Sequence, residues 1–383
     1  MRKLLFVTGT RADFGKLKPL IRVTNEMEGF SAEIFVTGMH MLQRYGSTWE
    51  EVVWSDLAPV HPFVNQAPAD SMDLVLAKTV MGLSDFVKES LPDLIIVHGD
   101  RVEALAGSLV GSLSNIRVAH IEGGELSGTV DEVIRHAVSK LSHWHFVSND
   151  ESKTRLIQLG EHTDRIFVIG SPDIDMMDSP HLPSLEEAFS HYRLNFLSYG
   201  ILIFHPVTTE LGEIEEQTRS LMEALVKSSQ NLIIIESNND SGSEVIRAVY
   251  EEFRGEPSFR FFPSMRFEYF LAILKEAKFI IGNSSAGIRE APHYGVPAIN
   301  LGSRQLNRVV SGLVLNCSLS GEEIQASIVQ ALRSDRVPEQ NFGSGNSAEG
   351  FRSVLETRSL WDSPLQKQFI DAKERTKEHD NVS

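Results

Sequence analysis

Short apolar runs with almost no polar interruption are what most constrain the fold of this chain. Leu4–Val7, Leu94–Val97, Val118–Ile121, Ile201–Phe204 and Leu232–Ile235 are examples. A strand with one wet face alternates apolar and polar residues, whereas runs like these suit strands covered on both faces. Candidate strands are Lys3–Thr8, Ala32–Thr37, Leu94–His98, Arg117–Ile121, His143–Val147 and Ile166–Ile169. Helical patterns lie between them at Lys16–Glu28, Ser71–Glu89, Val102–Ser114, Val130–Ser142 and Glu151–Leu159. A chain of such units predicts a parallel, doubly wound α/β sheet.

Ser179-Pro180-His181-Leu182-Pro183-Ser184 interrupts the rhythm and reads as a linker. Strand patterns resume at Ile201–His205, Asn231–Glu236, Arg260–Phe262, Phe279–Gly282, Pro297–Leu301 and Val314–Asn316. Helices fit at Glu213–Ser228, Ser243–Arg254, Phe267–Glu276, Ile288–Tyr294 and Glu322–Arg333. The expectation is two Rossmann-like domains facing across a cleft, 1–178 and 185–350. A helical segment within 351–375, placed at Ser363–Lys373, is expected to cross back to the first domain.

The 383 residues carry 52 acidic against 36 basic side chains, a net charge of −16. That argues against a sequence-independent nucleic-acid binder, which needs a basic stripe. One cysteine, Cys317, leaves no internal disulfide and no Cys-based zinc site. No run approaches the ~18 apolar residues of a membrane span, and Leu4–Val7 is too short for a signal peptide. A cytoplasmic enzyme or binding protein is the default expectation. The dinucleotide fingerprint Gly-x-Gly-x-x-Gly is missing from the first turn, and Gly15-Lys16 is followed by Leu17 rather than the Ser or Thr of a P-loop.

Three carboxylates stand just beyond predicted strand ends, where open α/β sheets bind ligands: Asp100 in His98-Gly99-Asp100-Arg101, Glu122 in Ile121-Glu122-Gly123-Gly124-Glu125, and Asp131. Neighbouring carboxylates with different partners acquire separated pKa values, so one can remove a proton while another donates one. Asp131's plain role is a helix first-turn acid, and Arg135 could hold it at i,i+4. Glu125 is a further candidate. In the second half, Gly282-Asn283-Ser284-Ser285 precedes a helix expected to start near Gly287, an arrangement that suits an anion. Glu290 could then accept bonds from ribose hydroxyls; the plain alternative is a Ser N-cap and a surface Glu. His205 at a strand terminus suits a phosphate or sugar contact, against a purely structural role. Arg11 and Arg101 could stabilise a leaving diphosphate, while Lys16 reads as a surface charge. His98, His120 and His136 lack metal-ligand spacing, so no metal is expected.

Taken together and in order, these motifs resemble the hydrolysing UDP-N-acetylglucosamine 2-epimerases of sialic acid biosynthesis. The matching stretches run from Thr8–Asp13 through His98–Arg101, Ile121–Glu125, Asp131–His136, His205–Glu210 and Gly282–Glu290 to Asn300–Arg304. The resemblance implies a GT-B-like fold, no cofactor, a nucleotide-sugar substrate and a homodimer or homotetramer. It implies loss of UDP from C1 with removal of the C2 proton, then hydration of 2-acetamidoglucal to N-acetylmannosamine. By position, Asp100, Glu122 and Asp131 match the catalytic acids, with Glu122 or Asp131 as proton carrier. Arg11, Arg101, His205, Asn238, Met265, Ser284, Ser285, Glu290 and Arg304 match UDP-binding positions. His-Gly-Asp-Arg and Glu-Gly-Gly-Glu differ from the His-Gly-Asp-Thr and Glu-Ala-Gly-Leu-Arg of non-hydrolysing relatives. Relatives acting on UDP-N,N′-diacetylbacillosamine often have His where this chain has Glu122. That substrate, a GT-B glycosyltransferase and a nucleotide-sugar sensor are the competing readings.

Overall fold

The computed structural model describes residues 1–67, 70–127, 130–207, 210–237, 240–305, 311–368 and 370. Within them the apolar runs form two sheets whose neighbouring strands are all parallel. The first has the order β3-β2-β1-β4-β5-β6-β7. Its strands are β1 (Arg2–Thr8), β2 (Phe30–Val36), β3 (Val60–Pro62), β4 (Leu94–His98), β5 (Arg117–Ile121), β6 (Trp144–Val147) and β7 (Ile166–Val168). The second has the order β10-β9-β8-β11-β12-β13. It is built from β8 (Gly200–Ile203), β9 (Leu232–Ile235), β10 (Phe259–Phe262), β11 (Ile280–Gly282), β12 (Ala298–Leu301) and β13 (Val314–Cys317). The two sheets and their helices form two α/β lobes in a GT-B-like arrangement.

Successive side chains along a strand point to opposite faces, and here both faces are dry. Leu4, Phe6 and Ile96 pack into one helical layer while Leu5, Val7, Ile95 and Val97 pack into the other. In the second sheet Ile201 and Ile203 divide from Leu202 and Phe204 in the same way. Strand order reverses between β1 and β4, and again between β8 and β11. At a reversal the two outgoing loops part, opening a crevice beyond the strand ends.

Several elements differ from the sequence expectation. The first helix starts at Arg11 rather than Lys16, because Thr10 and Asp13 form a capping box. The Asp13 carboxylate also accepts from the Gly9 N–H at 3.0 Å, which stiffens the turn after β1. Helices Trp49–Trp54, Pro172–Met177 and Leu185–Tyr192 and the short β3 were not anticipated. The helix expected over Ile288–Tyr294 is a 3₁₀ turn at Ser285–Gly287 and a four-residue helix at Glu290–His293. Pro292 lacks an N–H and could not bond to the Ile288 carbonyl, which disfavours a continuous helix from Ile288.

The return to the first lobe is made by helices Ser347–Glu356 and Arg358–Trp361. Phe351, Leu355, Leu360 and Trp361 join that lobe's core, and Trp361 meets Trp144 edge-on at 4.9 Å. No helix forms in the described part of Ser363–Lys373, where Pro364 disfavours one. Instead Lys367 reaches the carbonyls of Lys140 (2.9 Å) and Ser142 (2.5 Å) and the Glu161 carboxylate (2.5 Å). Burial alone would raise the Glu161 carboxyl, but His145 and Lys367 outweigh it and bring it down to about 2. Among the described residues no helix is long and apolar enough to cross a membrane.

Phe351→Ala should lower stability by about 3–5 kcal/mol in chemical denaturation, since it empties a fully buried ring site. Glu161 titrates below its unfolded value of about 4.3, so its contribution is full above that pH and is lost as pH falls toward about 2. Glu161→Gln should therefore cost about 3 kcal/mol at neutral pH, with the gap to wild type narrowing in melts below pH ~4.

Candidate active site

The two crevices face each other and merge into a cleft of about 310 Å³, within the size range of small-molecule sites. Each site residue expected from the sequence lines it except Asn238, which lies outside the described residues.

On the first lobe, β4 and β5 pair with His98 opposite Ile121, so the turns carrying Asp100 and Glu122 emerge side by side. Glu122 has φ 63°, a left-handed conformation that costs a non-glycine residue about 1 kcal/mol or more. The turn is held by the Glu122 N–H on the Phe146 carbonyl (2.8 Å) and by Arg135 on the Glu122 carbonyl (2.7 Å). Gly124 must be glycine, since a Cβ would lie 2.3 Å from the Ser152 carbonyl oxygen. Such strain needs the surroundings to enforce it, and it aims the carboxylate into the cleft.

The Glu122 carboxylate is nearly saturated with donors. Oε1 accepts from Arg289 Nη2 at 2.6 Å and from the Ser171 hydroxyl. Oε2 is 3.0 Å from His98 Nε2 and 4.0 Å from Lys16 Nζ. Burial favours the neutral acid, but Arg289, Lys16 and His98 prevail and hold the group well below the usual carboxylate range. Lys16 is therefore not the surface charge expected from the sequence. It is buried, 3.1 Å from Asp173 and 3.4 Å from Glu290. Burial opposes its charge, yet Asp173, Glu122 and Glu290 raise its pKa.

Arg135 does not pair with Asp131, as the i,i+4 spacing had predicted. It donates to Asp100 instead and lies 3.9 Å from Glu125. Helical side chains lean toward the helix N-terminus, which carries Arg135 from the buried face of its helix to the neighbouring strand end. Asp131 faces the opposite lobe, where Arg304 Nη2 approaches to 2.9 Å. Arg11, the first residue of its helix, pairs with Glu51 and donates to Ser264 of the second lobe at 2.6 Å. Arg101 lies 3.5 Å from the buried Glu103 carboxylate.

On the second lobe, Asn283 clamps the chain after β8. Its Oδ1 accepts the His205 N–H at 2.7 Å and its Nδ2 donates to the His205 carbonyl at 2.8 Å. Gly282 permits this approach, because a Cβ would meet the Ile203 oxygen at 1.9 Å. Burial, reinforced by Arg304 and Arg101, pushes the His205 imidazole well below its ordinary range, so it is neutral at pH 7. Ser284 caps the 3₁₀ turn by accepting the Ala286 N–H at 3.3 Å. Glu290 opens its short helix rather than standing one turn inside it, so helix-dipole attraction of an anion contributes little here. Its Oε2 is buried without a hydrogen-bond partner and is available to a donor in the cleft.

Arg289, Asp173, Ser171 and Asn283 were not assigned from the sequence. Arg289 and Asn283 lay inside a recognised motif, but nothing in their spacing marks their direction. Lys16 did carry a signal, being four residues from Leu20 on the buried face of its helix. Among the described residues, no three His, Cys, Asp or Glu side chains are placed to hold a metal ion.

The chain is 46% identical to the UDP-N-acetylglucosamine 2-epimerase of Neisseria meningitidis serogroup B, over 97% of this chain and 99% of that protein. It is 33% identical to the UDP-N,N′-diacetylbacillosamine 2-epimerase (hydrolyzing) of Legionella pneumophila, over 96% and 99%. Among solved structures, a Neisseria meningitidis UDP-GlcNAc 2-epimerase bound to UDP-GlcNAc has the same fold. Its TM-score is 0.77 at 21% identity, covering 92% of this chain and 99% of that one. The family model described as UDP-N-acetylglucosamine 2-epimerase matches residues 22–356, and the chain belongs to that family.

Proposed function

We propose that the protein converts UDP-N-acetylglucosamine and water to N-acetylmannosamine and UDP. The observation that carries this reading is the division of the cleft. Asp100, Glu122 and Asp131 gather on the first lobe, opposite Ser284, Ser285, Glu290 and Arg304 on the second. In this reading the second lobe holds uridine diphosphate, with Glu290 Oε2 accepting from the ribose hydroxyls. Arg11, Arg101 and Arg304 border the same space and would offset charge on the departing diphosphate. Asn238 and Met265 complete the proposed nucleotide contacts, and Met265 is buried at the cleft wall.

The C2 hydrogen of the sugar is not adjacent to a carbonyl and becomes acidic only as positive charge develops at C1. Elimination therefore needs good leaving-group stabilisation together with a positioned base. Glu122 enters as an anion, the state required to accept that proton. Hydration of the resulting 2-acetamidoglucal then needs a proton returned to the opposite face at C2. Asp100 pairs with Arg135 and Asp131 with Arg304, so their carboxylates have surroundings different from that of Glu122 and suited to that second task. Release of the free sugar is supported by the His98–Arg101 and Glu122–Glu125 motifs and by the hydrolysing Legionella relative.

Incubation with UDP-N-acetylglucosamine in deuterated water should give free N-acetylmannosamine carrying deuterium at C2. UDP-N-acetylmannosamine as the product would contradict the reading. Asp100→Asn and Glu122→Gln should each lower kcat by about 100-fold or more while UDP still binds in calorimetry. Glu290→Gln should weaken UDP binding by about tenfold with a smaller effect on kcat, because it alters a charged acceptor of ribose hydroxyls. The Legionella relative favours a second substrate, UDP-N,N′-diacetylbacillosamine. Comparing kcat/KM for the two nucleotide sugars decides between them, and the N-acetylglucosamine compound is expected to be preferred.

A further inference from the structure

Arg289 belongs to the second lobe, between β11 and β12, and is 3% exposed. Its acidic partners nevertheless come from the first lobe or the segment leaving it. Nη2 is 2.6 Å from Glu122, Nη1 is 2.5 Å from Glu125, and Nε is 3.2 Å from Asp173. It also donates to the Ser171 hydroxyl, and its guanidinium sits 4.4 Å from the centre of the Phe342 ring. An arginine is suited to this place because its rigid fork satisfies several acceptors at once without losing its charge.

The other groups facing Glu122 belong to the first lobe or its outgoing segment. They are Lys16 from the first helix, His98 at the end of β4, Arg135 from the Val130–Leu141 helix, and Ser171 and Asp173 after β7. Glu125 stands in the same turn, and Glu290 shares Lys16 from the opposite side. Five carboxylates, at 100, 122, 125, 173 and 290, thus meet three permanent cations, at 16, 135 and 289. Buried charges of this kind are tolerated only when paired, and removing one partner leaves the others uncompensated. Among the permanent cations placed around Glu122, Arg289 is the one that lobe separation would withdraw.

We propose that Arg289 is a positioning residue that couples closure of the two lobes to the readiness of Glu122. With the lobes shut, it orients the carboxylate and balances the charges around it. With the lobes apart, Glu122, Glu125 and Asp173 repel one another and the turn after β5 loosens. Elimination is then confined to the closed, water-poor cleft. The inference rests on the reading of Glu122 as a reacting carboxylate, but its structural half can be tested without turnover.

The test uses the full chain and the variants Arg289→Gln, Arg289→Lys and the double variant E125Q/R289Q, in which one lost positive charge is matched by one lost negative charge. Hydrogen–deuterium exchange of the wild type without substrate should show residues 121–127 and 171–175 protected, with about tenfold faster exchange in Arg289→Gln. With UDP-N-acetylglucosamine, Arg289→Gln should lose about 100-fold in kcat with KM changed less than about threefold, the size expected for a misplaced reacting group. Loss of a cation raises the Glu122 pKa, so the acid limb of kcat should move to higher pH. Arg289→Lys should recover part of kcat and return the limb toward wild type. The double variant should melt near the wild-type temperature yet remain slow. Unchanged exchange in Arg289→Gln, an unmoved acid limb, or full activity in the double variant would overturn the proposal. If the wild type does not turn over this nucleotide sugar, the functional reading fails, while the exchange result still decides whether Arg289 holds the lobes.

Discussion

Covering both faces of a parallel sheet leaves only its strand ends free for chemistry. In this protein that constraint operates twice. The β1/β4 reversal presents Arg11, Asp100 and Arg101, while the β8/β11 reversal presents His205, Asn283 and Ser284. Because the two carboxyl edges face each other, groups far apart in sequence line one cleft. The strained turn at Glu122 and the close approach of Gly282 to Ile203 mark where the backbone is forced to serve the site rather than the sheet.

Electrostatics follow from that geometry. A reacting carboxylate in a dry cleft would drift toward its neutral form unless cations oppose the cost of burial. Lys16 and Arg135 meet part of that need from within the first lobe, and Arg289 and Arg304 meet the rest from across the cleft. Interlobe contact therefore contributes to the charge state of the site as well as to its shape. Asp100 and Asp131 end up with different arginines from different lobes. In the proposed reaction, that separation would let neighbouring acids take different parts.

Much of this architecture was legible from residue pattern alone. The largely apolar runs at Leu94–Val97 and Val118–Ile121 correspond to strands β4 and β5, because burial on both faces leaves a direct mark on composition. Short elements such as β3 and Pro172–Met177 left no comparable mark. Helix starts were misplaced where capping decided them, as at Thr10, and helix continuity was overestimated over Ile288–Tyr294. In the site, residue positions were easier to read than partners. Spacing put Arg135 beside Asp131, but side-chain lean and the adjacent strand sent it to Asp100. Lys16 looked like a surface charge because a single lysine on a helix carries no sign of the acidic groups that the second lobe and the interlobe segment bring to it.

In the proposed reaction one lobe grips the nucleotide while the other works on the sugar. A crystal structure of the complex with UDP tests it most directly. The ribose hydroxyls are expected on Glu290, the diphosphate among Ser284, Ser285, Arg101 and Arg304, and its β-phosphate pointing toward Asp100, Glu122 and Asp131. Uridine seated on the first lobe, with the carboxylates turned away from the β-phosphate, would contradict it.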